Sequence, residues 1–207
     1  MPTRAPRIAI FGGSFNPIHV GHLMVAEEAA DRLELDRVIF VPTGEPPHKS
    51  TSGLAPAAAR LEMVRRAIEG NPRFAVSDVE LRRRGKSFTV DTLRHFREAL
   101  PRGARLFLVM GEDAAHDLPG WRDPRGILKL ARPVVASRAG TAAGALRRLG
   151  RLMPRGGRPA EVPVRVGVSA TEIRARVASG RSVRYLVPEG ARQVISRRGL
   201  YGGRSRC

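Results

Sequence analysis

A single doubly wound α/β domain with a mostly parallel sheet, ending in a small C-terminal helical segment, is the architecture that the sequence predicts. Three observations carry the prediction. Near the N-terminus a short apolar run, Ile8-Ala9-Ile10-Phe11, stops at Gly12-Gly13 and turns through Ser14-Phe15-Asn16-Pro17. It then re-enters a helical pattern that opens with His19 and His22, giving a strand, a glycine turn and a helix start. Short apolar runs alternate with segments of helical period from there to about residue 136, the pattern of a parallel sheet with helices on both faces. The length of 207 residues fits one such domain and is too short for a second large one.

Taken in order, Leu23, Ala26, Ala30 and Leu33 recur at helical spacing, and Val38-Ile39-Phe40-Val41 is a second strand that closes a βαβ unit. A Pro- and Gly-rich loop, residues 42–56, leads to a helix through Leu61, Val64 and Ile68. Phe74-Ala75-Val76 reads as a strand, Val90, Leu93, Phe96 and Leu100 as a helix, and Leu106 to Met110 as a strongly apolar strand. A helical piece at Ile127 to Leu130 precedes the strand Val134-Val135-Ala136. These elements make residues 7–138 the core, residues 139–163 a connector with one short helix, and residues 164–207 a C-terminal helix and tail. In such sheets ligands bind beyond the carboxyl ends of the strands, where GGSFNP, the loop from Pro42 and Gly111-Glu112-Asp113 all fall. The three loops are expected to converge on one site.

Composition narrows the function. No apolar stretch reaches spanning length, and MPTRAPR runs into the first strand without an apolar h-region, so a soluble, cytoplasmic protein is expected. The one cysteine, Cys207, offers no internal disulfide and no cysteine-based metal site or nucleophile. Lys and Arg number 37 against 19 Asp and Glu, a formal net charge of +18. The excess is nearly all arginine, spread through helices rich in Ala and Gly with no aromatic platform or recognition motif. No physiological nucleic-acid partner and no membrane partner are therefore expected.

Two constellations carry chemistry. The paired glycines let a backbone approach a ligand where a Cβ would block it, and the N–H groups opening the next helix suit phosphate oxygens. His19 and His22, three residues apart, share one helical face and can point at one charged group. Far downstream, Ser169 and Glu172 form a capping box, with Ile173 and Val177 on the buried face. The hydroxyls of Ser169 and Thr171 beside open helix N–H groups, with Arg174 one turn inside, also make an anion trap with a fork-shaped cation.

His19-Val20-Gly21-His22 resembles the T/HxGH signature of the nucleotidyltransferase superfamily, and Ser169 to Arg174 resembles the ISSTxIR motif of its adenylyltransferases. The ordered set GGSFNPIHVGH, PPHK (Pro46 to Lys49), SFTVDTL (Ser87 to Leu93), GEDAAHDLPGW (Gly111 to Trp121), SATEIR and YLVPEGARQVI is similar to bacterial nicotinate-nucleotide adenylyltransferases over about residues 7–201. The resemblance implies a Rossmann-like domain that transfers AMP from ATP to nicotinate mononucleotide, with Mg²⁺ arriving with ATP and no protein-held metal site. It assigns His19 and His22 to the α- and β-phosphates in the transition state. Ser169, Thr171 and Arg174 hold the β- and γ-phosphates. Gly12, Gly13, Ser14, Phe15, Gly111, Asp113 and Arg138 fall to the rest of ATP. Thr89 and Trp121 surround the nicotinate ring, and His48 and Lys49 contact phosphate. His95 and His116 have no comparable context and are expected on helix surfaces.

Departures from the family pattern occur at Ser14 and Asn16, where Thr and Asp are frequent, and at Arg122, where an aromatic residue is common. An acceptor other than nicotinate mononucleotide, either nicotinamide mononucleotide or phosphopantetheine, is the nearest rival. A basic nucleic-acid-binding protein would explain the charge and leave the histidine pair unexplained. Self-association into a homo-oligomer is left open.

Overall fold

The computed structural model describes residues 4–46, 53–137, 142–165 and 167–202. Strand β1 (Arg7–Gly13) leads through the glycine turn to helix α1 (Val20–Arg32), and β2 (Arg37–Pro42) lies beside β1. Then follow α2 (Ala57–Ala67), β3 (Phe74–Val76), the single turn α3 (Val79–Arg82), α4 (Thr89–Ala99) and β4 (Arg105–Gly111). A short α5 (Glu112–Asp117), α6 (Pro124–Leu130), β5 (Arg132–Ser137), α7 (Ala143–Leu152), β6 (Ala160–Pro163), α8 (Ala170–Ala178) and α9 (Glu189–Arg197) complete the chain, with a 3-10 turn at Leu200–Gly202.

All strand pairs are parallel, in the order β3-β2-β1-β4-β5-β6. The chain runs outward from β1 to one edge and then returns to β4 on its other side, so the order reverses between β1 and β4. That switch opens a crevice at the carboxyl ends of these two strands. Alternation assigns the two faces. Ala9, Phe11, Val38, Phe40, Phe107 and Val109 meet residues of α1, α2, α8 and α9, while Ile8, Ile10, Leu106, Leu108 and Met110 meet those of α4, α5, α6 and α7. Helix α1 lies close to the sheet because its inward residues are Ala26, Ala29 and Ala30, each fully buried. Under the glycine turn, the Phe11, Phe15 and Phe40 rings lie with centroids 5.5–5.8 Å apart, and Phe74 meets Phe40 edge-on at 5.3 Å. Large aromatic burial of this kind gives the turn a rigid floor.

The segment 139–163, expected as a connector with one short helix, holds the ten-residue α7 and a sixth strand. In β6 only Ala160 and Val162 face inward, and Pro163 ends the strand at a sheet edge, where a missing N–H is tolerated. Two small or medium inward residues next to a proline carry too weak a periodic signal to read as a strand. No helix among the described residues is long and apolar enough to cross a membrane.

Candidate active site

The glycine turn sits at the carboxyl end of β1, beside the β1/β4 switch. A Cβ at Gly13 would stand 3.2 Å from the Phe15 ring, whereas one at Gly12 would meet nothing within 4 Å, so the backbone there is open to a ligand. Phe15 itself is 1% exposed and packed in the core, with φ at +45°, so what it can offer a ligand is backbone alone. His19 is the N-cap of α1 and His22 its third residue, which brings the two rings to a centroid distance of 3.7 Å at 31°. His22 Nδ1 accepts the His19 backbone N–H at 3.2 Å, which places the His22 proton on Nε2 as a donor. Burial pulls the His19 imidazole down to about 4, and burial together with the neighbouring His19 holds His22 well below its ordinary value. Both rings are neutral near pH 7. His19 Nδ1 is buried with no hydrogen-bond partner among the described residues, a cost that a ligand at this site can relieve.

Asn16, only 4% exposed, ties the turn to three distant segments. Its Oδ1 accepts the Ala55 N–H at 3.0 Å and the Tyr201 hydroxyl at 2.9 Å, its Nδ2 donates to Gly53 O at 2.9 Å, and its backbone carbonyl accepts from Arg174 Nη1 at 2.9 Å. Below, the guanidinium of Arg60, 2% exposed, donates to Ser14 O at 2.9 Å and Ala55 O at 3.0 Å. The second phosphate element stands on α8. Ser169 caps it by accepting the Glu172 N–H at 3.1 Å, and Arg174 Nη2 donates to Thr171 Oγ1 at 3.1 Å. Arg174 thus joins the start of α8 to the turn after β1 despite the 158 positions between Asn16 and Arg174.

On the other side of the turn lies a cavity of about 490 Å³. Gly12, Gly13 and Ser14 line it after β1, Thr43 and Pro46 after β2, and Gly111 and Asp113 after β4, so the three loops do converge. The start of α4 with Thr89 lines it as well, as does Trp121 in the segment between α5 and α6. The loop from β2 is pinned there: Ser87 Oγ accepts the Gly44 N–H at 3.2 Å, and a Cβ on Gly44 would come within 2.5 Å of Glu80 O. Glu80, 6% exposed and raised by burial, accepts from the Thr92 hydroxyl at 2.7 Å.

Of the residues expected from sequence, Gly12, Gly13, Ser14, Thr89, Gly111, Asp113 and Trp121 line the cavity. His19, His22, Ser169, Thr171 and Arg174 gather outside it, at the start of α1 and of α8. His48, Lys49 and Arg138 lie outside the described residues. His95 and His116 are exposed. Arg60, Glu80, Ser87 and Thr92 were not singled out. Arg60 and Glu80 carry no local signal, because an arginine or glutamate in an amphipathic segment reads as solvent-facing. Among the described residues no group of three or more His, Cys, Asp or Glu could hold a metal ion.

Residues 10–176 match the cytidylyltransferase-like family. Among curated relatives, a protein of Thermomicrobium roseum is 45% identical, with 94% of this chain and 91% of its own covered. One of Rubrobacter xylanophilus is 46% identical, with 94% and 92% covered. Both carry the name "Probable nicotinate-nucleotide adenylyltransferase". Among solved structures, Plasmodium falciparum nicotinic acid mononucleotide adenylyltransferase complexed with NaAD has the same fold, with a TM-score of 0.78 at 17% identity over 95% of this chain and 97% of that one. With family and relatives matching over the segments that build both the glycine turn and the cavity, the chain belongs to the nicotinate-nucleotide adenylyltransferase family of cytidylyltransferase-like proteins.

Proposed function

We propose that the protein transfers the adenylyl group of ATP to nicotinate mononucleotide, giving nicotinate adenine dinucleotide and pyrophosphate in the synthesis of NAD, a cytoplasmic reaction. The observation that carries the reading is the pair of neutral, desolvated imidazoles at the start of α1, beside an open glycine backbone and next to a cavity of nucleotide size. A phosphate monoester is already a competent nucleophile, so the reaction needs two anions held in line and charge stabilised on the α-phosphate and the departing pyrophosphate. An oxygen of the nicotinate mononucleotide phosphate forms the new bond to the α-phosphorus as the bond to the bridging β-oxygen breaks.

His19 and His22 serve this step as hydrogen-bond donors, and the arriving phosphates raise their proton affinity from its lowered resting value. Ser169, Thr171 and Arg174 take the β- and γ-phosphates, with Arg174 exchanging its bonds to Asn16 O and Thr171 for phosphate oxygens. Gly12, Gly13 and Ser14 give ATP a close backbone, joined by the Phe15 backbone, Gly111, Asp113 and Arg138. Thr89 holds the nicotinate ring by hydrogen bonding and Trp121 by stacking, and His48 and Lys49 meet a phosphate. Mg²⁺ arriving with ATP would be held mainly by polyphosphate oxygens and water and would supply charge neutralisation there. No nucleic acid or membrane takes part, and self-association is not required by the site.

Pyrophosphate release with ATP and each acceptor tests the reading. Nicotinate mononucleotide is expected to exceed nicotinamide mononucleotide by at least about tenfold in kcat/KM, because donors suited to a carboxylate lose charge-assisted bonds to an amide. Phosphopantetheine is expected to be inert. Equal rates with the two nicotinate-type nucleotides would refute the specificity alone, and turnover only with phosphopantetheine would refute the acceptor class.

A further inference from the structure

Arg122 lines the cavity next to Trp121. Among the described residues lining the cavity, three are carboxylates, Glu80, Asp113 and Asp117, and Arg122 is the one cation. An acceptor that bears a carboxylate enters against this field, so the cation has electrostatic work that no neighbour shares. The Arg122 guanidinium lies over the Phe88 ring, its carbon 4.7 Å from the centroid, a stacking distance at which the ring face attracts the cation. Because Phe88 precedes Thr89 and Arg122 follows Trp121, the stack joins the two lining segments that carry Thr89 and Trp121. Nearby Asp91 forms an ion pair with Arg122 that includes no hydrogen bond. Its Oδ1 accepts from Arg94 at 3.2 Å, while its Oδ2 is 3.9 Å from Arg122 Nη1, too far for a hydrogen bond. No hydrogen bond among the described residues takes up the Arg122 donors.

We infer that Arg122 is a specificity-determining residue, a guanidinium braced on Phe88 at the cavity mouth that selects an acceptor carrying a carboxylate over its carboxamide counterpart. The inference rests on the proposed acceptor and deepens it: the one cation among the described lining residues adds a charge-assisted contact to the acid group. A planar cation held by stacking keeps its orientation better than a flexible ammonium would.

The test uses the full chain, in which Trp121 is the only tryptophan, so binding at this wall is read directly from its fluorescence. Kd for nicotinate mononucleotide and for nicotinamide mononucleotide is measured with and without a non-hydrolysable ATP analogue, alongside kcat and KM from pyrophosphate release. Arg122→Gln is expected to weaken the acid nucleotide about fivefold while leaving the amide nucleotide, the KM for ATP and kcat within about twofold. Arg122→Lys is expected to recover part of the loss, and added salt to weaken the acid nucleotide in the wild type more than in Arg122→Gln. An unchanged acid-to-amide ratio in Arg122→Gln, or equal weakening of both, overturns the inference and leaves Arg122 as a structural bridge. Selective binding without turnover would instead refute the acceptor reaction and uphold Arg122 as the selector, and binding of neither nucleotide would refute both.

Discussion

Two helix N-termini meet at the phosphate end of this site, and they are built on opposite principles. At α1 the cap is His19, 8% exposed, stacked on His22 over a floor of phenylalanines. At α8 the cap is Ser169, exposed, and the nearby Arg174 reaches the rest of the molecule through one bond to Asn16 O. A desolvated pair of neutral donors changes little when charge develops next to it, which suits the phosphorus under attack. An exposed cap with a full positive charge suits the outer phosphates, which must bind from water and leave again. In the proposed reaction burial therefore separates the reacting station from the holding station, although both use a helix start.

The largest expected difference lies in turnover. His22→Ala or His19→Ala is expected to lower kcat by about two orders of magnitude or more with an unchanged far-UV spectrum, since each removes a donor at the developing charge. Near-normal kcat in both folded variants would erase the distinction between the stations. Arg174→Ala is expected to raise the KM for ATP about tenfold with a smaller effect on kcat, and Arg174→Lys to restore part of it, because an ammonium cannot span two phosphate oxygens as the planar fork does. A kcat loss equal to that of the histidine variants would make α8 part of the reacting station.

Acidity separates the two ends without any substrate. With His19 held at about 4 in the folded protein against about 6.5 unfolded, the unfolded chain binds the extra proton between those values, and His22 acts in the same direction. Stability is full above pH 6.5 and is lost as the pH falls toward 4, at up to about 1.4 kcal/mol per pH unit for each histidine. Thermal melts of His19→Gln should show a flatter dependence between pH 6.5 and 4, and a slope equal to the wild type would contradict the burial argument. The smallest effect belongs to the exposed cap. Ser169→Ala is expected to cost about 1 kcal/mol, lowering the melting temperature equally at all pH values, with the KM for ATP up about twofold. A pH-dependent loss would show that α8 shares the titrating environment of α1.

Much of this was legible before any coordinates. Strands β1 to β5 read out because inward Ile, Val, Leu and Phe alternate or run continuously, and the glycine turn and SATEIR read out because capping and phosphate-binding chemistry is local in sequence. What stayed hidden was either weakly patterned or made by distant residues. Strand β6 has only Ala160 and Val162 to announce it. Arg60 becomes a core residue only because Ser14 O and Ala55 O need a donor, and neither need is visible from Leu61 and Val64 beside it. Tyr201 reaches Asn16 across 185 positions, and a single hydrogen bond at that separation leaves no periodic trace. The position of Ser169 as a cap was readable; that of His19 as a cap, and the neutral state of the imidazoles, followed only from the structure.

The sheet order also has a consequence for how the chain is assembled. Ile8 pairs with Arg37, 29 positions away, on one side and with Leu106, 98 positions away, on the other. Closing the longer loop costs about 1 kcal/mol more chain entropy than closing the shorter one. The β1-α1-β2 unit, with both histidines, can therefore form by local closure, while the inner edge of β1 stays an open template until β4 has been synthesised and docked. During translation the reacting histidines come into register before the wall that carries Gly111 and Asp113 exists. The nascent chain is consequently most exposed to strand-edge misassociation in the interval between the emergence of residues 42 and 111, a liability created by the same reversal of strand order that opens the crevice.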